Sequence, residues 1–280
     1  MFEILEKVRL NDQIIYMTLK APLIAKKAKA GQFVIIRTDK LAERIPLTIF
    51  DSDKINGTID IVYQKVGAAT YKLSEKNKGD FIEDVLGPLG KASELQGYNK
   101  VALISGGVGI ATLYPMAKAL YQNGCKTDII LGFRTKELII FQDKLKEFAR
   151  CLNVVTDDGS NGNKGFVTDV LKQKIETGEN YDAVISVGPI PMMKAVCDIT
   201  KKYNIRSIVS MTAIMIDGTG MCGGCRLNVG GKIKFACIDG PDFDGHKVDF
   251  DEAMNRNRMF KNEEDYAREK YCNLFGGEVI

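Results

Sequence analysis

One histidine, His246, stands in 280 residues. That scarcity leaves little room for a catalytic triad built on imidazole. No uninterrupted apolar stretch reaches the roughly 18 residues that read as a membrane span. The N-terminal MFEILEKVRL carries acidic residues and no long apolar core, so it does not read as a secretory leader. These absences lead us to expect a soluble chain in the cytoplasm, with no membrane partner. A polybasic run is also missing: 39 Lys and Arg against 36 Asp and Glu leave a formal charge of +3, spread along the chain. Nucleic acid is therefore not an expected partner, whereas small molecules and other proteins are. Seven cysteines, an odd number with no secretory signature, argue against a disulfide framework. Neither an internal repeat nor a low-complexity linker is present.

What the chain does have is a cysteine motif crowded with glycine. Asp217, Cys222, Cys225 and Cys237 form D-x4-C-x2-C-x11-C, with glycines at 218, 220, 223 and 224. A plant-type 2Fe-2S site has C-x4-C-x2-C…C spacing, and here an aspartate stands in the place of the first thiolate. Glycines let the backbone turn tightly around an inorganic core and aim amide N–H groups at its sulfurs. The competing reading is zinc, held by the three cysteines with Asp217 or His246, although only one C-x2-C knuckle is present. Cys125, Cys151, Cys197 and Cys272 show no ligand spacing and read as small buried apolar residues.

The first hundred residues alternate apolar and polar positions in short runs, with Gly, Asp, Asn or Pro at most joins, which is the pattern of a small antiparallel barrel. A helix over 69–79, ending at Gly79, interrupts it. Past Gly97 the pattern becomes strands alternating with amphipathic helices, as in a parallel α/β sheet. Strands are expected at 101–105, 127–134, 153–160, 181–189 and 205–215, and helices at 110–124, 136–150, 166–178 and 191–204. After the cysteine segment comes a polar helical tail with sparse apolar residues (Met254, Met259, Phe260, Tyr266, Tyr271, Leu274), which leaves packing on its own domain, packing on a partner, or simple solvation open.

Two further motifs touch ligand chemistry. Gly106, Gly107, Val108 and Gly109 lie between a strand and a helix, where unpaired N–H groups and the helix dipole favour an anionic pyrophosphate. A glycine turn there also serves plain helix packing, and the full G-x-G-x-x-G is not matched. No acid ends the second strand to hold a ribose; Gly132, Phe133 and Arg134 stand there, and they leave NADH and NADPH unresolved. Asp157, in TDDGS, and Gly188 with Pro189, in VGPIPMM, mark two more strand ends on the ligand-binding side of such a sheet. In the barrel, R-I-P-L-T places Arg44 to pair with a pyrophosphate, Pro46 to stiffen the strand, and Thr48 to bond the polar edge of a flavin; an ordinary edge strand would read the same.

In this order the motifs resemble the ferredoxin reductase superfamily, over almost the whole chain. Within it the sequence resembles the electron-transfer subunits of dihydroorotate dehydrogenase. It looks closer to the small (alpha) subunits of NADH-dependent reduced ferredoxin:NADP+ oxidoreductase, the electron-bifurcating transhydrogenase, because aspartate is the first ligand and FDGHKVDFDEAMNRNRMF extends the C-terminus. The chain departs from many relatives by having R-I-P-L-T where they have R-P-L-T or R-P-Y-S. The resemblance implies an all-β barrel plus α/β architecture: an antiparallel FAD-binding barrel over 1–98, a parallel-sheet NAD-binding domain over 99–212, a 2Fe-2S segment over 213–245 and a helical tail over 246–280. Arg44, Pro46, Leu47 and Thr48, with Ile61, Val62, Tyr63 and the Gly67, Ala69, Thr70 turn, would bind FAD. Gly106, Gly107, Val108 and Gly109 would hold NAD(H), with Gly132, Arg134, Asp157, Gly188 and Pro189 nearby, and Asp217, Cys222, Cys225 and Cys237 would hold the cluster. The implied activity is that of an oxidoreductase subunit: hydride exchange between NAD(H) and FAD, then single electrons through 2Fe-2S to or from a larger flavin and iron–sulfur subunit in a heterodimer. Ferredoxin and NADP would be reached through that subunit. The electron-transfer subunit of dihydroorotate dehydrogenase is one alternative, and a zinc-stabilised nucleotide-binding module without redox chemistry is another.

Overall fold

A computed structural model describes residues 1–275, with side chains through Tyr271. The end of the expected 246–280 tail, and the side chains of Cys272 and Leu274, lie outside the described residues. Seven strands, β1 (Phe2–Arg9), β2 (Ile14–Lys20), β3 (Phe33–Arg37), β4 (Arg44–Asp53), β5 (Thr58–Gln64), β6 (Phe81–Ile82) and β7 (Asp84–Leu89), form one antiparallel sheet in the order β6-β1-β2-β5-β4-β3-β7. The two edge strands are consecutive in the chain, separated by Glu83 alone, so the sheet curls into a near-closed barrel. Its alternation sends Ile15, Met17, Leu19, Val34, Ile36, Ile49, Ile59 and Ile61 into one interior core. The helices α1 (Pro22–Ala25) and α2 (Ala68–Glu75) flank it, and Leu73 of α2 packs into the core.

The second sheet runs β10 (Cys151–Thr156), β9 (Lys126–Phe133), β8 (Lys100–Gly106), β11 (Ala183–Val187), β12 (Arg206–Ser210), β15 (Asp242–Asp244). The first five are parallel, and β15 is antiparallel to β12. The helices α3 (Ile110–Gln122), α4 (Gln142–Lys146), α5 (Val167–Glu176) and α6 (Ile190–Lys202) make the connections. The winding reverses direction between β8 and β11, which is the topological switch point where sheets of this kind bind ligands.

Three elements end differently from the pattern reading. The helix expected over 136–150 shrinks to the five residues of α4, because Phe141 takes a left-handed conformation (φ 53°) and turns its ring onto Phe50 of the barrel, 4.7 Å between centroids. The helix expected to reach Gly79 stops at Glu75. The fifth strand, expected over 205–215, stops at Ser210, and Met211 is bonded instead to the Pro241 carbonyl.

Beyond that strand, β13 (Arg226–Val229) and β14 (Lys232–Phe235) form a hairpin closed by Gly230 and Gly231, both at positive φ as a tight two-residue turn requires. The short helix α7 (Ala236–Asp239) carries Cys237. In the tail, α8 (Phe250–Asn257) is capped by Asp249, whose carboxylate accepts from the Glu252 amide, and packs on α6 and β13. The last helix, α9 (Lys261–Phe275), lies against α2 of the barrel. The tail is thus folded back onto its own chain. Among the described residues no helix is long and apolar enough to cross a membrane.

Candidate functional site

At the switch point, the loops after β8 and β11 touch because both are glycine. A Cβ on Gly109 would sit 2.6 Å from the Val187 carbonyl oxygen, and one on Gly188 would sit 2.9 Å from the Gly106 nitrogen. Gly107 has φ 56° and open space around it, and the 13-residue helix α3 begins directly after Gly109. Pro189 follows Gly188 at the start of α6. Gly132 ends β9, where a Cβ would press on Val167 at 2.7 Å, while Arg134 and Asp157 are exposed on the same strand-end edge. The Asp157 amide bonds the Phe133 carbonyl at 3.0 Å, tying those two loops together. Sequence reasoning missed Ser105 and Ser186, buried hydroxyls beside these turns with no hydrogen-bond partner among the described residues. Small polar residues inside an apolar strand were the available signal. Unsatisfied donors, glycine cradles and a helix N-terminus together suit a dinucleotide phosphate. We expect Gly109→Ala to push α3 away from the β11 loop, costing about 1–3 kcal/mol of stability. It should also weaken NADH binding on the order of tenfold, ~1.4 kcal/mol; thermal unfolding and an NADH titration check both.

Facing this edge is the outer surface of the barrel. Alternation along β4 turns Arg44, Pro46 and Thr48 outward, whereas Leu47 packs toward the interior core. Thr48 shares a 2.8 Å hydroxyl–hydroxyl bond with Thr112 of α3, and Phe50 stacks on Tyr114 of α3 at 4.3 Å. In β5, Ile61 and Tyr63 point into the barrel and Val62 points toward α3, so only the backbone of Ile61 and Tyr63 is offered to the outside. Gly67 precedes α2 with open space at its Cα. The Thr70 hydroxyl accepts from the Val66 and Gly67 amides, fixing the turn, and Ala69 is buried beneath it. This outer face, with the N-terminus of α2 at its margin, has the donor chemistry for a flavin dinucleotide.

The ligand set of the cysteine loop falls into two pairs. Asp217 and Cys222 adjoin: the Asp217 carboxylate accepts from the Thr219 amide at 2.8 Å and the Cys222 amide at 2.7 Å. The Thr219 amide, helped by the Cys222 amide, holds this carboxyl below the usual carboxylate range against an opposing effect of burial. Cys225 and Cys237 adjoin as buried thiols, the Cys237 amide donating to the Cys225 sulfur at 3.4 Å. Burial, and then the neighbouring Cys225, push the Cys237 thiol up from its usual range, so binding a metal there would have to displace its proton. Among the described residues no three His, Cys, Asp or Glu side chains converge on one point as a single metal ion requires. Two adjoining pairs of donors are the arrangement that a two-iron cluster takes. His246, the other zinc candidate, is bonded to Thr200 of α6 at 2.9 Å. Sequence reasoning also missed the clamp from α8, where Arg256 bonds the Gly224 carbonyl at 3.1 Å and Asn257 bonds the Thr212 carbonyl at 3.2 Å.

A nucleotide edge, a barrel face and a paired-donor loop that abut one another are the architecture of a ferredoxin reductase-like electron-transfer flavoprotein. Residues 212–249 match the iron-sulfur cluster binding domain of dihydroorotate dehydrogenase B, and residues 103–198 match the oxidoreductase NAD-binding domain. The chain belongs to the family of dihydroorotate dehydrogenase B electron transfer subunits and their homologues. It is 44% identical to such a homologue from Thermotoga maritima over 274 residues, covering 98% of this chain and 96% of the relative. It is 47% identical to an uncharacterised protein from the adh 3' region of Clostridium beijerinckii, over 96% of this chain and 93% of that one. A solved structure of NADH-dependent reduced ferredoxin-NADP oxidoreductase, determined to explain flavin-based electron bifurcation, superposes with a TM-score of 0.90 at 43% identity, covering 96% of this chain and 97% of the other. The chain is an oxidoreductase subunit whose cofactors are FAD, a 2Fe-2S cluster and NAD(H).

Proposed function

We propose that this chain is the small subunit of an NADH-dependent reduced ferredoxin:NADP+ oxidoreductase, working in the cytoplasm. It would exchange electrons with a larger flavin and iron–sulfur subunit, through which ferredoxin and NADP are reached. The observation that carries the reading is the single barrel face that bonds both neighbours: Thr48 to α3 of the nucleotide sheet and Arg44 to the carbonyl preceding Asp217. When bound, FAD exchanges hydride with the nicotinamide and passes electrons singly to the cluster.

The protein's own part is positioning. Gly106, Gly107, Val108 and Gly109 present amides to the nicotinamide dinucleotide, Gly188 and Pro189 close the opposite side of the cleft, and Gly132, Arg134 and Asp157 bound its outer end. Pro46, Thr48, the β5 backbone at Ile61, Val62 and Tyr63, and the Gly67, Ala69, Thr70 turn hold FAD, with Arg44 and Leu47 on the same strand. Asp217, Cys222, Cys225 and Cys237 would hold the 2Fe-2S cluster, as two adjoining pairs of donors. Residues 1–98, 99–212, 213–245 and 246–280 form the corresponding modules. No side chain is required as a general base, in keeping with a bonded His246.

A second reading, the electron-transfer subunit of dihydroorotate dehydrogenase, is favoured by the match of residues 212–249. Anaerobic affinity capture from the native cell separates the two. We expect a larger flavin and iron–sulfur subunit to copurify and to reduce NADP+ with NADH and reduced ferredoxin. Copurification with a dihydroorotate-binding chain instead would overturn the proposal in favour of the second reading.

A further inference from the structure

Both residues that flank Asp217 are anchored to the flavin barrel. On one side, Arg44 Nε donates a 2.8 Å hydrogen bond to the Ile216 carbonyl. On the other, Gly218 (φ 76°) lies so close to β3 and β7 that a Cβ would sit 2.7 Å from Ile35 Cδ1 and 2.6 Å from Leu89 Cδ1. Cys225 and Cys237 are held differently, by burial in a core that Phe33 and Ile35 of β3 share with β13 and α7, and Cys222 is exposed at the tip. Arg44 pairs with Arg37 across β3 and β4, yet Arg37 spends its guanidinium on Asp84, leaving Arg44 as the one that crosses to the loop.

We infer that Arg44 is a positioning residue for the Asp217 ligand: the flavin barrel, through Arg44 and the Gly218 contact, sets where the carboxylate meets the cluster. This deepens the proposed function and rests on it. The Arg44 bond fixes the peptide that enters Asp217, the glycine contact fixes the one that leaves it, and the carboxylate between them has little freedom to swing. A fixed guanidinium at that point also favours the reduced cluster, since reduction adds negative charge. A ligand held from the barrel makes the cluster respond to the strand that lies against the flavin.

The test is redox titration and EPR of anaerobically purified full-length chain carrying Arg44→Gln or Arg44→Lys. Thermal unfolding is measured alongside, to show that the barrel is intact, and FAD content is recorded as well because Arg44 lies on the strand expected to bind FAD. Arg44→Gln removes the charge and is expected to shift the cluster potential downward and to broaden or shift its EPR signal. Arg44→Lys keeps the charge without the planar fork, so its potential should lie nearer that of the unmodified protein while its EPR signal still changes. Gly218→Ala, which forces the loop off the barrel, should lower cluster occupancy. An Arg44→Gln protein with normal FAD and with cluster potential and EPR signal both unchanged overturns this inference alone. Unmodified protein that never holds a cluster overturns the proposed function, and the inference with it.

Discussion

Cys225→Ser and Cys237→Ser are each expected to leave the chain without its cluster. Changes to groups that merely support a ligand cost ~10–100-fold in metal affinity, so losing a thiolate from the buried pair should exceed about 100-fold. The visible absorbance of the cluster and its EPR signal after reduction should vanish. FAD should stay bound, because the barrel core that shapes its face is separate from the core holding the two thiols. The step from NADH to flavin would then survive while delivery to the partner subunit is lost, and stopped-flow absorbance at the flavin band separates the two. Asp217→Cys is the informative contrast. It offers a fourth thiolate at the same spacing, and we expect a retained 2Fe-2S cluster with a changed potential, because an oxygen ligand is harder than sulfur.

The second large effect concerns stability. Asp128 in β9 has no exposed side-chain surface, and its carboxylate accepts from Arg150 Nε at 2.8 Å, Arg150 Nη2 at 2.5 Å and the Tyr181 hydroxyl at 2.8 Å, with Lys174 at 3.7 Å. Burial by itself would raise this carboxyl, but the Arg150 and Tyr181 hydrogen bonds and the two cationic neighbours outweigh it and hold it below the usual range. A carboxyl depressed in the folded state contributes stability that is present above its unfolded pKa and is lost as pH falls through the folded value. Arg150→Met should strip most of that support and cost about 2 kcal/mol, below the range for a fully buried pair because the guanidinium is partly exposed to water and Lys174 remains. For a chain of this size the midpoint of thermal unfolding should drop roughly 4 °C. Asp128→Asn combined with Arg150→Met should recover most of the loss, since no buried charge is then left unpaired. Thermal unfolding of the single and double variants at neutral pH and at about pH 4 reads both effects, the difference between unmodified protein and Arg150→Met narrowing in acid.

The module order was legible because its signals are local. Period-two alternation marked the barrel strands, glycine turns marked the switch point, and the D-x4-C-x2-C-x11-C spacing marked the ligand loop. What escaped depends on contacts between distant residues. Three residues, Asp-Phe-Asp, carry no alternation that would announce β15, and only its register against Ile208, Val209 and Ser210 makes it an edge strand that ties the cysteine segment to the nucleotide sheet. The run Leu138, Ile139, Ile140, Phe141 looked helical by composition, yet the aromatic stack with the barrel took Phe141 out of helical geometry. Asp128 sits inside an apolar strand pattern, and its partners lie 22 and 53 residues away. Arg44 read as a flavin contact from its neighbours in sequence, while its bond to Ile216 spans 172 residues. The spacing already favoured a two-iron cluster over zinc, while the adjoining of Asp217 with Cys222 and of Cys225 with Cys237 needed the fold.

An anaerobic NADH titration of the purified protein, followed by visible absorbance and by EPR on frozen samples, reads whether NADH, flavin and cluster lie on one electron route within this chain. The protein should be coloured, with one cluster per flavin, and NADH should bleach the flavin band and bring up a reduced 2Fe-2S signal. A colourless protein with stoichiometric zinc, unchanged by NADH, would contradict that route.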